Sequence, residues 1–324
     1  MPKLKEKIYQ MFILGTDGGG LDTALKNGLG GVIFFTYDIN SENEFKKLVN
    51  KIKKLSIIPP FLSIDQEGGR VERTENIHAG KKYLSAKFAY EKGADFLNNQ
   101  TREIAKELKS YGINLNFAPC IDTNTNPKNP IIGERAFSSN PDEVIKGEKI
   151  VTAAYKSNGI IPCAKHFPGH GDADADSHLT LPKIDLSLEE MEKTHIKPFK
   201  AAIDNGIDMI MAAHLYCTCF EKNPIPSSLS KNTLNYLRNT LKFDGIIISD
   251  DMIMKGVSDF GEVEACLMGI DAGINMFIYR NSKEITLNII EKIYQKAIID
   301  KELQHKIEMS YNKIIKLKQL YKIY

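Results

Sequence analysis

The sequence predicts an α/β protein, a single (β/α)8 TIM-type barrel, and three observations predict it. Eight short apolar runs are spread along the 324 residues, amphipathic helical patterns separate most of them, and charged residues gather where the runs end. Runs that are apolar almost throughout, joined by helices, are what a parallel sheet buried on both faces requires. Eight such units in a chain of this length favour closure into a barrel.

The runs are IYQMFILG at 8–15, GVIFF at 31–35, PFLSID at 60–65, INLNFAP at 113–119, IPCAKHF at 161–167, MIMAAH at 209–214, GIIISDD at 245–251 and NMFIYR at 275–280. Helix signals lie between them. Ser41 before ENEFKKLVNKIKKL reads as an N-cap, and Ser187 with Glu190 forms a capping box ahead of a helix that Gly206 ends. Pro141 stands at a first helical position, ahead of DEVIKGEKIVTAAYKSNG. The segment from about 284 to 324 reads as two Lys-rich helices packed outside the barrel, their lysines forming a solvated face. No repeat or linker divides the chain, so residues 1–324 are expected to form one domain.

Charge narrows the partners. Lys and Arg number 43 against 41 Asp and Glu, a net of +2, so no strong field selects nucleic acid or an anionic membrane. No stretch approaches the ~18 apolar residues of a spanning helix. The N-terminal MPKLKEKIYQMFILGTDGGG has mixed charges rather than the plan of a signal peptide. A soluble, cytoplasmic monomer acting on a small neutral ligand is the expectation. Cys120, Cys163, Cys217, Cys219 and Cys266 are odd in number and mostly inside apolar runs, which suits buried thiols rather than disulfides.

Polar residues cluster at the C-terminal ends of the predicted strands, the rim where barrels build active sites: Asp65, Asp122, Lys165, His166, His214 and Asp250. Asp250, in SDD after GIII, would meet the barrel mouth as a partly desolvated carboxylate, suited to attack on an electrophilic carbon or to a helix cap. Asp251 reads as the structural member of that pair. In KHFPGHGDADADSH, 165–178, an aspartate stands two residues before a histidine: Asp176 can fix the tautomer of His178 and leave its other nitrogen to exchange a proton. Small residues around them favour a loop that swings over a ligand. His170 and Asp172 sit among turn formers and read as stitching for the loop. Asp65 can accept sugar hydroxyls with Arg70 or Arg73 donating nearby, and Arg135 lies on the loop after the fourth strand. A metal held by His166, His170 and His178 is the rival reading, but their spacing matches no helical ligand pattern.

Taken in order, IDQEGGRVER, NFAPCIDTNTNP, GERAF, KHFPGHGDADADSH and ISDDMIMKGV resemble glycoside hydrolase family 3, in particular the bacterial β-N-acetylglucosaminidases of peptidoglycan recycling. The resemblance runs from about residue 10 to 280 and implies Asp250 as the nucleophile of a retaining hydrolysis. It implies His178, partnered by Asp176, as the general acid and then base. Asp65, Arg73, Arg135, Lys165 and His166 match positions that bind the terminal N-acetylglucosamine. It implies neither metal nor organic cofactor, and a saccharide (muropeptide) as the molecule bound. Retaining hydrolysis ordinarily uses two carboxyl groups roughly 5 to 5.5 Å apart; here a His and Asp pair stands in for the second. A histidine, with a pKa of about 6.5, suits proton exchange near neutral pH. The chain lacks Trp, so Tyr, Phe or hydrogen bonds must replace stacking by that ring on the sugar. A phosphorylase, a metal-dependent hydrolase and a non-catalytic sugar-binding barrel are the competing readings.

Overall fold

The computed structural model describes residues 2–78, 81–173 and 181–324. Each apolar run contributes one strand: β1 (Phe12–Gly15), β2 (Gly31–Phe34), β3 (Phe61–Ile64), β4 (Leu115–Asn116), β5 (Ile161–Phe167), β6 (Met209–Ala212), β7 (Ile246–Asp251) and β8 (Met276–Tyr279). They form a closed barrel in which every strand pairs in parallel with its neighbours in sequence and β1 pairs with β8, Phe12 opposite Phe277. β1, β2, β3, β6 and β8 are buried at every position. This is why their sequences run apolar without alternating: one face fills the barrel and the other meets the helices. Phe12 and Phe277 pack with ring centroids 5.6 Å apart, and Phe34 meets Phe45 of helix Glu42–Leu55 edge-on at 5.0 Å.

The caps act as expected. Ser41 Oγ accepts from the Glu44 amide at 3.3 Å, and Phe45, Val49 and Ile52 bury the apolar stripe of that helix. Asn140 caps helix Pro141–Ser157, accepting from the Asp142 amide at 2.9 Å, with Pro141 at the start where its missing N–H costs nothing. Ser187 and Glu190 close a capping box, but the helix they begin ends at Thr194 and a second one, Lys197–Asp204, follows. Pro198 explains the break: it has no N–H to donate and its ring would clash inside a continuous helix, so the chain restarts there.

Three further features depart from the sequence reading. Ile8, Tyr9 and Gln10 belong to helix Leu4–Gln10 rather than to the first strand, which begins only at Phe12. The Lys3 amide donates to Glu6 at that helix's start, and Gln10 turns inward to donate to the carbonyls of Gly28 and Leu29. A short parallel pair, Lys183–Ile184 with Tyr216–Cys217, lies outside the barrel. It packs on a small separate core with Met191, Ile196 and Leu215. The third departure is in the C-terminal helices, Glu284–Ile299 and Lys301–Leu320, which pack against helices Leu4–Gln10 and Glu262–Ala272. Most of their lysines are solvated, but Lys318 is fully buried. Its Nζ donates to Gln10 Oε1 at 2.7 Å and lies 5.0 Å from the centre of the Phe61 ring, with no carboxylate beside it among the described residues. All five cysteines are free thiols, four buried and Cys219 half-buried.

Burial pushes the Lys318 ammonium pKa well down. Between that folded-state pKa and the unfolded value of about 10.4, the unfolded chain binds more protons, so stability should rise with pH across this window. Lys318→Met removes the titrating group. In thermal melts at a series of pH values, the variant should compare best with the wild type near pH 7, and the wild type should gain on it toward pH 10. Identical pH dependence in both proteins would show that Lys318 does not carry this cost.

Candidate active site

The sequence IDQEGGR builds the first wall. β3 ends at Ile64, and Gly68 and Gly69 then turn the chain at φ 94° and 61°, where a Cβ on Gly68 would stand 2.3 Å from the Leu84 carbonyl oxygen. Only glycine fits there. The tight turn leaves Asp65 and Glu67 facing Lys165 of β5. Lys165 Nζ donates to Asp65 Oδ1 at 2.7 Å and contacts Glu67 Oε1 at 2.6 Å. Arg135, from the loop after β4, grips Glu67 with two parallel bonds, Nε to Oε2 and Nη2 to Oε1, both 2.9 Å. Burial alone would raise the Glu67 carboxyl pKa, but Arg135 and Lys165 outweigh it and hold it well below the usual range. Burial opposes the charge on Lys165 and Arg135 too, and their carboxylate neighbours more than restore it, keeping both cations charged.

His166 follows Lys165 through a cis peptide, and both side chains line the same cavity. Its Nδ1 lies 2.7 Å from Asp122 Oδ2 and its Nε2 3.3 Å from Arg135 Nη2. A carboxylate accepts, so Nδ1 donates to Asp122. Asp122 also receives the amides of His166 and His170. Burial alone would raise its carboxyl, but His166 outweighs burial and the net direction is down. His170 is itself pushed down to about 4, first by burial and then by His166. Asp172 accepts from Thr125 Oγ1 at 3.0 Å and the His170 carbonyl accepts from Asn129 at 2.8 Å, so this part of the loop is stitched to the one after β4.

Opposite, β7 delivers Asp250 to the barrel mouth. Its Oδ1 accepts from the Asp251 amide at 2.7 Å. Burial would raise the carboxyl, yet His214, His166, that amide and Lys165 together hold it below the ordinary range, so it is a carboxylate at neutral pH. His214, fully buried at the end of β6, lies 2.7 Å from Ser228 Oγ by Nδ1 and 3.1 Å from the Asp251 carbonyl by Nε2. Asp251 pairs with Arg280 and accepts from the Ile253 amide, a structural part.

The two arginines of the β3 loop separate. Arg70 turns away and donates to the carbonyls of Pro130 and Ile131. Arg73 faces the cavity, its guanidinium 6.0 Å from the centre of the Phe35 ring, and Phe35 stacks on the half-exposed Tyr37. Asp65, Arg73, Arg135, Lys165, His166 and Asp250 thus line one cavity of about 480 Å³ at the C-terminal end of the strands. A larger hollow of about 570 Å³ beside the last helix, lined by Lys313, Lys316 and Leu317, gathers no comparable cluster of buried charges. Asp176 and His178 lie outside the described residues.

The profile of the glycosyl hydrolase family 3 N-terminal domain matches residues 3–317. The chain belongs to that family. Among its relatives, the beta-hexosaminidase of Methylococcus capsulatus is 33% identical over 271 residues, 82% of this chain and 79% of that protein. Beta-hexosaminidase A of Pseudoalteromonas piscicida is also 33% identical, over 76% of this chain, which spans only 45% of that longer protein. A family 3 β-N-acetylglucosaminidase structure from Paenibacillus sp. superposes with a TM-score of 0.91 at 29% identity, covering 99% of this chain and 63% of that one.

Within this family 3 barrel, the residues that sequence reasoning left without a role are Glu67, Asp122 and His214. Glu67 reads as one more acid in a glycine turn, and its only sequence signal is its place two residues after Asp65. Cys120 Sγ, the Asp122 carboxylate and the His166 ring lie within 4.8 Å of one another and are of metal-ligand type. The thiol donates to Asp122, and burial pushes its pKa well up, which disfavours the thiolate a metal needs.

Glu67→Gln keeps the shape and removes the charge that Arg135 and Lys165 share. Breaking such a buried pair costs about 3–5 kcal/mol, which urea denaturation should register together with a raised KM. Because the folded-state pKa of Glu67 is depressed, its contribution is present above the unfolded value of about 4.3 and is lost only as pH falls through the folded one. The deficit of the variant should therefore persist undiminished from pH 8 to pH 5.

Proposed function

We propose that the chain is a retaining exo-β-N-acetylglucosaminidase that removes a non-reducing terminal N-acetylglucosamine from peptidoglycan fragments, acting as a cytoplasmic monomer on muropeptides. The observation that carries this reading is the ionised Asp250 at the strand ends, across one cavity from Asp65, Arg73, Arg135, Lys165 and His166. The names of the relatives support the hexosamine, and the KHFPGHGDADADSH resemblance supports the recycling substrate. Arg135 and Lys165 are already neutralised by Glu67 and Asp65, which favours a neutral, hydroxyl-rich sugar and a water nucleophile over an incoming phosphate.

In this mechanism an Asp250 oxygen attacks the anomeric carbon while the bond from that carbon to the leaving oxygen breaks. His178, oriented by Asp176, gives its proton to the leaving oxygen. A water then passes a proton to His178 and displaces Asp250, regenerating the carboxylate and releasing the sugar with its β configuration. Asp65 accepts sugar hydroxyls with the lone pairs that Lys165 leaves open, and Arg73, Arg135 and His166 hold the remaining polar groups of the ring.

Asp250→Ala should lose on the order of a thousandfold or more in turnover of an aryl N-acetylglucosaminide. Added azide should then yield the α-glycosyl azide, because a small anion takes the face that the carboxylate held. Undiminished turnover, or an α-configured first product from the wild type by NMR, would sink the retaining assignment. His178→Ala should slow a disaccharide far more than an aryl glycoside with a good leaving group, which needs little protonation. Equal losses on the two substrates would remove His178 from the acid role.

A further inference from the structure

Arg73 is held from behind by a part of the molecule that the mechanism does not use. Glu72 and Thr74, the residues flanking it, both reach the same imidazole. His78 Nδ1 lies 2.9 Å from Glu72 Oε1, and Thr74 Oγ1 lies within hydrogen-bond distance of His78 Nε2. The ring is 2% exposed. Residues 72 and 74 turn inward to His78, and Arg73 between them turns to the cavity. The arrangement is tied down twice more. Gln66 Oε1 accepts the amides of Arg73 and Thr74 at 2.7 and 3.3 Å. His78 Nε2 also lies 2.6 Å from Glu107 Oε1, on helix Ala94–Ser110.

The partners fix the place of the ring. Nδ1 faces the Glu72 carboxylate and, at 3.3 Å, the Lys81 carbonyl, both acceptors. Nε2 faces Glu107, whose second oxygen already accepts from Tyr83 O–H at 2.8 Å. The ring thus sits between two acidic side chains, with the edge of Tyr83 packed on it at 5.1 Å. Lys81 is occupied elsewhere, with Glu103 and the Tyr83 face.

We propose that His78 is a positioning residue for substrate binding: an imidazole held between Glu72 and Glu107 that anchors the two neighbours of Arg73 and so aims its guanidinium into the sugar cavity. Among the described residues no carboxylate pairs with Arg73, and its buried Nε has no hydrogen-bond partner, so its aim depends on the backbone that carries it. Arg135 and Lys165, by contrast, are fixed by Glu67. The proposal rests on the reading that this cavity binds the terminal sugar through Arg73.

The test compares wild type, His78→Gln, Arg73→Ala and the double variant on an aryl N-acetylglucosaminide, with amide exchange of residues 66–74. His78→Gln should speed exchange at Arg73 and Thr74 without touching the barrel strands and raise KM about tenfold, with kcat little changed. In the Arg73→Ala background the same substitution should add almost nothing. Independent, multiplying effects of the two substitutions, or unchanged exchange at Arg73, would each overturn the proposal. Should His78→Gln not fold, Glu107→Gln, which leaves the ring in place, is read the same way. A wild type inactive on every N-acetylglucosaminide counts against the functional reading alone, and the exchange then judges the clamp.

Discussion

The site is organised around one buried carboxylate. Glu67 receives a two-point grip from Arg135 and a third contact from Lys165, tying together the loop after β3, the loop after β4 and the end of β5. Two cations placed side by side in a poorly solvated floor would repel each other and drive water in. With Glu67 between them, the charges offset one another and keep a fixed geometry. Asp65, Arg135 and Lys165 then present hydrogen-bonding edges to the cavity rather than free charge, a surface suited to hydroxyl groups.

The two buried lysines show how much this depends on neighbours rather than on burial. Lys165 and Lys318 are both 2% exposed or less. Lys165, between Asp65 and Glu67, is held charged; Lys318, with a glutamine oxygen and a ring face, is driven toward its neutral form. The one stands at the mouth, where the barrel does chemistry, and the other beside Gln10 and Phe61, where it only seals the packing of the last helix. Charge is stabilised at the mouth and suppressed behind it, as expected of a fold whose active groups sit at one end of its strands.

The parts of the site legible in the sequence are those that a strand delivers directly. Asp65, Lys165, His166 and Asp250 close apolar runs, so their place at the rim follows from counting along the run. Glu67 and His78 were not legible, and Asp122 was legible only in its place at the rim, because what gives each its role is a partner 68, 29 or 44 residues away and no periodicity encodes that. Arg70 and Arg73, three apart in one loop, were equally good candidates until the glycine turn and the anchors on residues 72 and 74 sent one outward and one into the cavity. Of the fold, strand order was readable and helix ends less so: Pro198 carried a stop signal inside an otherwise continuous amphipathic pattern, and Lys318 looked like its solvated neighbours because one buried face of a helix tolerates a long side chain whose end finds an acceptor.

The imidazoles around the cavity bear on where the catalytic proton comes from. His166 turns Nδ1 to Asp122 and Nε2 to Arg135, so both of its ring nitrogens are engaged. His214 has both nitrogens engaged, by Ser228 and the Asp251 carbonyl. His170 is neutral at physiological pH, held down by its burial and by His166. Each of these rings does electrostatic or architectural service for Asp122 or Asp250. A general acid and base for this chemistry is therefore best sought outside the three, which is the part proposed for His178 in the sequence after β5.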